Sequence, residues 1–599
     1  MAVAAEKLPK WDLSDLYSGI DDPRIETDIA GNLKSAQNFE EKYKGKISDG
    51  SIEAAELRTA LEEFGLLIEA HSRSGQYAQL LYSTNTQDAK IGALLQKTRE
   101  SGASFAKHFV FFDLEIGLMA QEKYEVIASN EVLADYKHYL DHQREVAKHQ
   151  LSEPEEKILV ETANSRGSAF GRLFTEVTGR VKFRLKQDGE EKELLMSEIM
   201  SHLYDPDRAV RKAASESITE SLHDVAHVST FIFNTLLHEK EVLDRLRSFE
   251  YPAASRNLSD ELSKKVVDTM AGVCVKNFDL VADYYQLKGQ LLGIDDLREY
   301  DRYAPISDRD VHVPYEEAKS LVLEAFESFS PKLSELTKPF FEKNWIDAAP
   351  VDGKDSGAFC SLGSPNTHPY VFMNYMGKSR DVMTLAHELG HGVHAVLAQR
   401  NHYLDFGSVL PLAETASTFG EALVFDQLME KIEDPAEKLA LLCGKIEDSF
   451  ATVFRQISMY RFEERAHMAR REQGELATEQ YNEIWQSSMG EMFGDSLSLS
   501  ENHGWWWLYI PHVFQVPFYV YAYAFGELLV FSLYALYKKE GDSFIEKYFE
   551  LLASGGAKSP AELVSSMGFD IEDEAFWQAG CDLIRARVEQ AKELAKQIS

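Results

Sequence analysis

The sequence predicts a mostly α-helical protein with one small β-sheet. Three observations carry that expectation. Long stretches repeat apolar residues at three- and four-residue spacing among charged ones, the signature of helices with one buried face. Only two segments carry strand or hairpin signals. The chain of 599 residues is long enough to bury sizeable cores, and no fixed-period repeat or low-complexity tract suggests a solenoid or a string of linked modules.

Ile52–Glu69, Leu262–Leu292, Tyr315–Phe329 and Pro435–Gln473 show the helical period. Ser259, Asp260 and Glu261 stand just before the second of these as a helix-start signal. Val181–Leu195 reads VKFRLKQDGEEKELL, two runs about an Asp188–Gly189 turn, and predicts a β-hairpin. We expect a helical N-terminal lobe, residues 1–200, to end with that hairpin, and residues 201–599 to form a second domain. In Ala358–Tyr375, Gly, Ser, Pro and Asn cluster before Pro369–Tyr375, a short strand. Two readings of this strand stand: an edge whose backbone pairs with an extended peptide, or an ordinary member of a small sheet.

Charge and cysteine content narrow the function. Lys and Arg total 63 against 98 Asp and Glu, a net charge of −35, which repels a phosphate backbone and argues against nucleic acid as a partner. A bias toward basic peptides is the most that this charge suggests about substrate. Cys274, Cys360, Cys443 and Cys581 are widely separated with no CxxC pair, and the N-terminus lacks an apolar run of signal-peptide length. Both point to a reducing, cytoplasmic setting. Trp505–Tyr537 has Glu527 as its one formally charged residue and is long enough to cross a bilayer. Pro511, Pro517, the mid-run Glu527 and six tyrosines spread along its length instead predict a buried helix of a soluble protein, with no membrane partner.

The most informative segment is VMTLAHELGHGVHAVLA. His387 and His391 stand four apart and share one helix face, so two neutral imidazoles can reach one zinc ion. Glu388 between them can direct its carboxylate at water on that metal. A catalytic zinc needs a third protein ligand and an open position. The metzincin pattern is excluded because position 397 is Leu. His394 lies on the same face, but three imidazoles on one straight helix extend over about 10 Å of axis, which suits packing or support better than ligation. Glu414 and Glu421 share a face with Ser417 and Thr418 on a largely apolar downstream helix, where a carboxylate is costly to bury unless it is paired or metal-bound. Glu414, Glu421 and, in reserve, His394 are the candidates for the third ligand.

His387-Glu-Leu-Gly-His391 followed by Ala413-Glu414-Thr-Ala-Ser-Thr-Phe resembles the thimet oligopeptidase family of zinc metallopeptidases, specifically its oligoendopeptidase F branch. Trp11-Asp-Leu-Ser-Asp-Leu-Tyr, Trp345-Ile-Asp, Pro369-Tyr-Val-Phe-Met-Asn-Tyr and Pro517-Phe-Tyr-Val-Tyr-Ala-Tyr-Ala-Phe-Gly extend the likeness through nearly the whole chain. The resemblance implies a two-lobed, zincin-like helical metallopeptidase with a deep substrate channel and a small sheet beside the HExxH helix. It also implies one zinc ion held by His387, His391 and Glu414, with Glu421 orienting a ligand histidine. Its substrates would be short peptides cut at internal bonds, with Glu388 as general base. Members of the family use a histidine and tyrosines from the later apolar segment as oxyanion donors, which here indicates His512, Tyr519 and Tyr523; on a continuous helix these share one face, with Tyr521 as a competitor. Three other functions are compatible with the sequence: a zinc carboxypeptidase on a similar fold, a non-catalytic helical binding protein, and a membrane-embedded metalloprotease.

Overall fold

The computed structural model describes residues 8–187, 190–307 and 312–598. The fold is mostly helical, as the period predicts, with a two-stranded hairpin and a three-stranded sheet. One compact unit is built from the described residues of Met1–Glu153, Asp310–Leu428 and Leu536–Phe569, the other from those of Pro154–Arg309, Met429–Ala535 and Asp570–Ser599. Both units draw on segments on either side of residue 200 or beyond it, so the spatial division is interleaved along the chain.

Several expected elements form with little change. Tyr315–Phe329 is a helix with those bounds; Ser330 is extended because Pro331 follows, and that proline opens the next helix, Pro331–Glu342. The helix begun by Ile52–Glu69 runs as Ala54–Thr84, because Tyr77, Ala78 and Leu80 continue the buried stripe past the serines. In its unit, Phe39 and Phe64 meet Phe109 and Phe112 at ring separations of 4.9 to 5.2 Å. Each such side chain contributes about 1.5–3 kcal/mol through burial. Pro435–Gln473 is helical throughout, but Phe450–Phe454 winds as a π-helical turn.

Leu262–Leu292 is corrected. Asp260 and Glu261 end the helix Ala254–Ser259 and do not start the next one. Glu261 adopts a left-handed φ of 54°, and the Leu262 N–H bonds back to the Asn257 carbonyl at 2.9 Å, a Schellman-type stop. The following helix begins at Lys264, capped by Ser263, whose hydroxyl accepts the Val266 N–H. It breaks at Asn277, whose side-chain amide donates to the Val273 carbonyl and to Gln578, and resumes as Asp279–Leu292.

The hairpin forms from Phe183–Gln187 and Glu190–Leu194, antiparallel with Gln187 opposite Glu190; its Asp188–Gly189 turn lies outside the described residues. The three-stranded sheet overturns the edge reading of Pro369–Tyr375. Tyr370–Phe372 is its central strand, parallel to Ile346–Asp347 and antiparallel to Phe359–Ser361. All three central residues are fully buried, so they need partners on both sides. The buried Lys354 ammonium ties this corner together by donating to Asp347 and to the Ala349 and Met373 carbonyls.

Trp505–Tyr537 is mostly buried, with Pro511 and Gln515 exposed, and is not one helix. It comprises the 3₁₀ segment ending at Tyr509, the short helix Pro511–Gln515, an irregular turn, and the helix Tyr521–Glu540. Pro511 and Pro517 account for the breaks: each lacks an N–H and pushes its predecessor, Ile510 or Val516, out of the helical region. Among the described residues no helix is long and apolar enough to cross a membrane.

Candidate metal centre

The helix Ser379–Ala398 carries His387, Glu388, His391 and His394. Its partner runs from Leu410 as a short turn of helix, Leu410–Ala413, and then as Thr415–Lys431, with Glu414 at the junction. Two glycines let these backbones meet. A Cβ on Gly390 would lie 2.5 Å from the Ala416 carbonyl oxygen and 2.6 Å from Ser417 Cα; one on Gly420 would lie 3.1 Å from the Ala386 carbonyl oxygen. Gly390→Ala is therefore expected to destabilise the protein by about 1–3 kcal/mol through overpacking and to weaken metal retention, read by thermal unfolding and metal analysis.

That close crossing brings three ligand atoms into one triangle. His387 Nε2 and His391 Nε2 are 3.2 Å apart, and Glu414 Oε2 lies 3.3 Å from the first and 3.4 Å from the second. A tetrahedral zinc ion with bonds of ~2.0–2.1 Å sets its ligand atoms ~3.3–3.4 Å apart, so the residues fit the group. Among the described residues these three form the group that could hold a metal ion. Ser417 fixes the glutamate by donating to its Oε2 at 2.7 Å.

Glu421 Oε1 lies 2.6 Å from His387 Nδ1, which turns Nε2 toward the triangle. Burial presses the His387 pKa down, but Glu421, Glu414 and Glu388 together raise it to about 9. Positive charge is thus in demand among three carboxylates. His391 is held neutral mainly by burial. Glu388 is 4 % exposed, and its Oε2 has no hydrogen-bond partner among the described residues. Burial, with Glu414 and Glu421 nearby, raises its pKa to about 7. His394 stays outside the triangle, buried and pressed to about 4 by burial and by His391. Cys360, on the strand Phe359–Ser361, has its thiol pushed up by burial and then by Glu388, which sets this strand beside the carboxylate.

In the other unit the structure brings His512, Tyr519 and Tyr523 together, but not on one helix face. The chain turns at Phe518, whose φ is 61° and whose N–H donates to the buried Glu463 carboxylate at 2.8 Å. His512 Nε2 then lies 3.3 Å from the Tyr523 hydroxyl, and the Tyr519 ring centroid lies 5.8 Å from His512 and 5.2 Å from Tyr523. Burial, then the charge of Arg455, lowers the His512 pKa. Tyr521 is spent elsewhere: its hydroxyl donates to the buried Asp260 at 2.8 Å. The sequence reading missed Glu463, and it named Ser417 and Asp260 without these roles: Ser417 holds Glu414 from three residues away, while Glu463 at the Phe518 turn and Asp260 on Tyr521 act from distant positions without a local motif. Gly390 stood inside the motif as the available signal for the helix crossing.

A helical fold carrying an HExxH helix, a glutamate from the following segment that completes a group able to hold a metal ion, and a small sheet alongside fits a metallopeptidase of the HExxH kind. The pattern of Peptidase family M3 matches residues 201–583, more than half of the chain, and that of Oligopeptidase F matches residues 115–183. The chain belongs to peptidase family M3 and is a metallopeptidase, a hydrolase acting on peptides. It is 26% identical to oligopeptidase PepF of Bacillus subtilis over 93% of this chain and 83% of that one. It is also 26% identical to an oligoendopeptidase F homolog of Lactococcus lactis, over 99% and 98% of the two chains. The crystal structure of oligoendopeptidase-F from Enterococcus faecium shares the fold, with a TM-score of 0.73 and 20% identity over 96% of this chain and 99% of that one.

Proposed function

We propose that the protein is a zinc-dependent oligoendopeptidase that cuts short peptides at internal bonds in the cytoplasm, with residues 201–599 as its catalytic domain. The observation that carries this reading is the His387–His391–Glu414 triangle together with Glu388, on the same helix as the two histidines, whose Oε2 has no hydrogen-bond partner among the described residues. Zinc bound there supplies Lewis acidity toward a peptide carbonyl and acidifies water. Glu388 takes the proton of the attacking water and returns it to the leaving amide nitrogen; its pKa of about 7 suits both transfers. His512, Tyr519 and Tyr523 donate hydrogen bonds to the tetrahedral oxyanion, a role supported by the 3.3 Å approach of His512 to Tyr523 and by the neutral state that burial favours for His512. The substrate backbone pairs with Phe359–Ser361, which has one strand neighbour and stands beside Glu388. Family membership over 201–583 supports the domain assignment, and the four free cysteines support a reducing compartment.

Relatives named oligopeptidase and oligoendopeptidase F favour internal cleavage over carboxy-terminal trimming. Digestion of a mixed peptide library, read by mass spectrometry with and without a zinc chelator, tests the reading. Internal cuts in short peptides that vanish with chelator and return with zinc are expected. Chelator-resistant cleavage, or release of C-terminal residues alone, would sink it.

A further inference from the structure

Arg455 is the first residue after the π-helical turn Phe450–Phe454. Its Nη1 lies 3.3 Å from the Tyr303 hydroxyl oxygen, and Arg302 Nη2 approaches the same oxygen at 3.2 Å. Among the described residues neither guanidinium has a carboxylate within ion-pair distance. The neighbouring acids are already engaged. Glu447 accepts from Lys288 at 2.6 Å and from Tyr284, while Glu299 accepts the Ser500 N–H and hydroxyl.

Arg302 is 5 % exposed, and the Nε of each arginine is buried without an acceptor among the described residues. Two cations therefore share one neutral phenol oxygen, an arrangement that is costly unless an anion completes it. Burial pushes the Tyr303 phenol up, but Arg302 and Arg455 outweigh that and lower it. The cluster is not sealed. Tyr303 and Arg455 are part-exposed, and the exposed Tyr204 ring lies 4.9 Å from Tyr303. Arg302, Tyr303 and Arg455 belong to the same unit as His512, Tyr519 and Tyr523, and the charge of Arg455 reaches His512, where it adds to burial in lowering the pKa. On a chain of net charge −35, this local excess of positive charge runs against the overall balance.

We propose that Arg455 and Arg302, bridged by the Tyr303 hydroxyl, form a subsite that recognises a carboxylate of the peptide substrate. A planar guanidinium with unused N–H groups binds a carboxylate through paired hydrogen bonds, whether the acid is the peptide's C-terminus or an Asp or Glu side chain. The inference rests on the peptidase reading and adds a substrate feature to it. Recognition here tunes the rate among internal cleavages and does not limit the enzyme to C-terminal residues.

The test uses the zinc-loaded full chain and one peptide in matched forms: free acid, C-terminal amide, and each with an internal Asp changed to Asn. In the wild type, amidation or Asp→Asn is expected to lower kcat/KM about tenfold or more, the size of a lost charge-assisted hydrogen bond. The sensitive arm identifies the carboxylate. In Arg455→Gln that ratio should fall to near one, and Arg455→Lys should keep part of it. The Lys variant also serves if the Gln variant does not fold. Equal kcat/KM for all forms in the wild type, or an undiminished preference in Arg455→Gln, overturns the proposal. Failure of the underlying reading would show separately, as an absence of chelator-sensitive cleavage of any form.

Discussion

Glu388→Gln is expected to keep about one zinc per chain while kcat falls by ~10²–10⁴, the range that a positioned general base contributes. Three features of the site set this outcome. Glu388 Oε2 is buried with no partner among the described residues, so the carboxylate does not brace that part of the fold through this oxygen. Glutamine has the same shape, so the packing of the Ser379–Ala398 helix is preserved. Glu388 stands outside the triangle of ligand atoms, and removing one of three neighbouring acids leaves His387, His391 and Glu414 in place. Metal analysis beside steady-state kinetics on a cleaved peptide checks it. Turnover within about threefold of wild type would remove Glu388 from the proton transfers, because a general base cannot be lost so cheaply.

The local parts of this site were legible in the sequence because helices convert spacing into direction. The four-residue spacing of His387 and His391 places two imidazoles on one face, and the apolar surroundings of Glu414 and Glu421 mark those carboxylates as engaged. The structure gives them different tasks, with Glu414 at the triangle and Glu421 on His387 Nδ1. Where the sequence reading failed, the deciding contacts were distant. Asp260 looked like a helix start, yet it closes the preceding helix and holds Tyr521 from 261 positions away. Pro369–Tyr375 reads as a strand from its composition, but its central position depends on partners at 346–347 and 359–361. His512, Tyr519 and Tyr523 converge although the helix assumed for them breaks; Pro517 causes the break, and Glu463 at the Phe518 turn helps fold the chain back. Arg455 and Tyr303 are 152 positions apart and belong to no motif, so only the fold relates them.

Removing metal ligands should act in a graded order that separates the three remaining candidates. Glu414→Ala deletes one of three atoms lying 3.2 to 3.4 Å apart and leaves two imidazoles, so zinc affinity should fall by more than the ~10–100-fold typical of losing a ligand's hydrogen-bonded support. Glu421→Ala should fall within that ~10–100-fold range, since it frees the His387 ring and removes a nearby negative charge while keeping the triangle. His394→Gln should keep its metal, because His394 is buried apart from the ligand atoms, though replacing a packed ring will lower the unfolding temperature. Competition with a chelator of known affinity measures all three on one scale. Full zinc retention in Glu414→Ala with loss in His394→Gln would reverse the assignment and make the third imidazole the ligand. Equal losses in Glu414→Ala and Glu421→Ala would mean that both carboxylates reach the ion, which the 2.6 Å contact of Glu421 with the far nitrogen of His387 argues against.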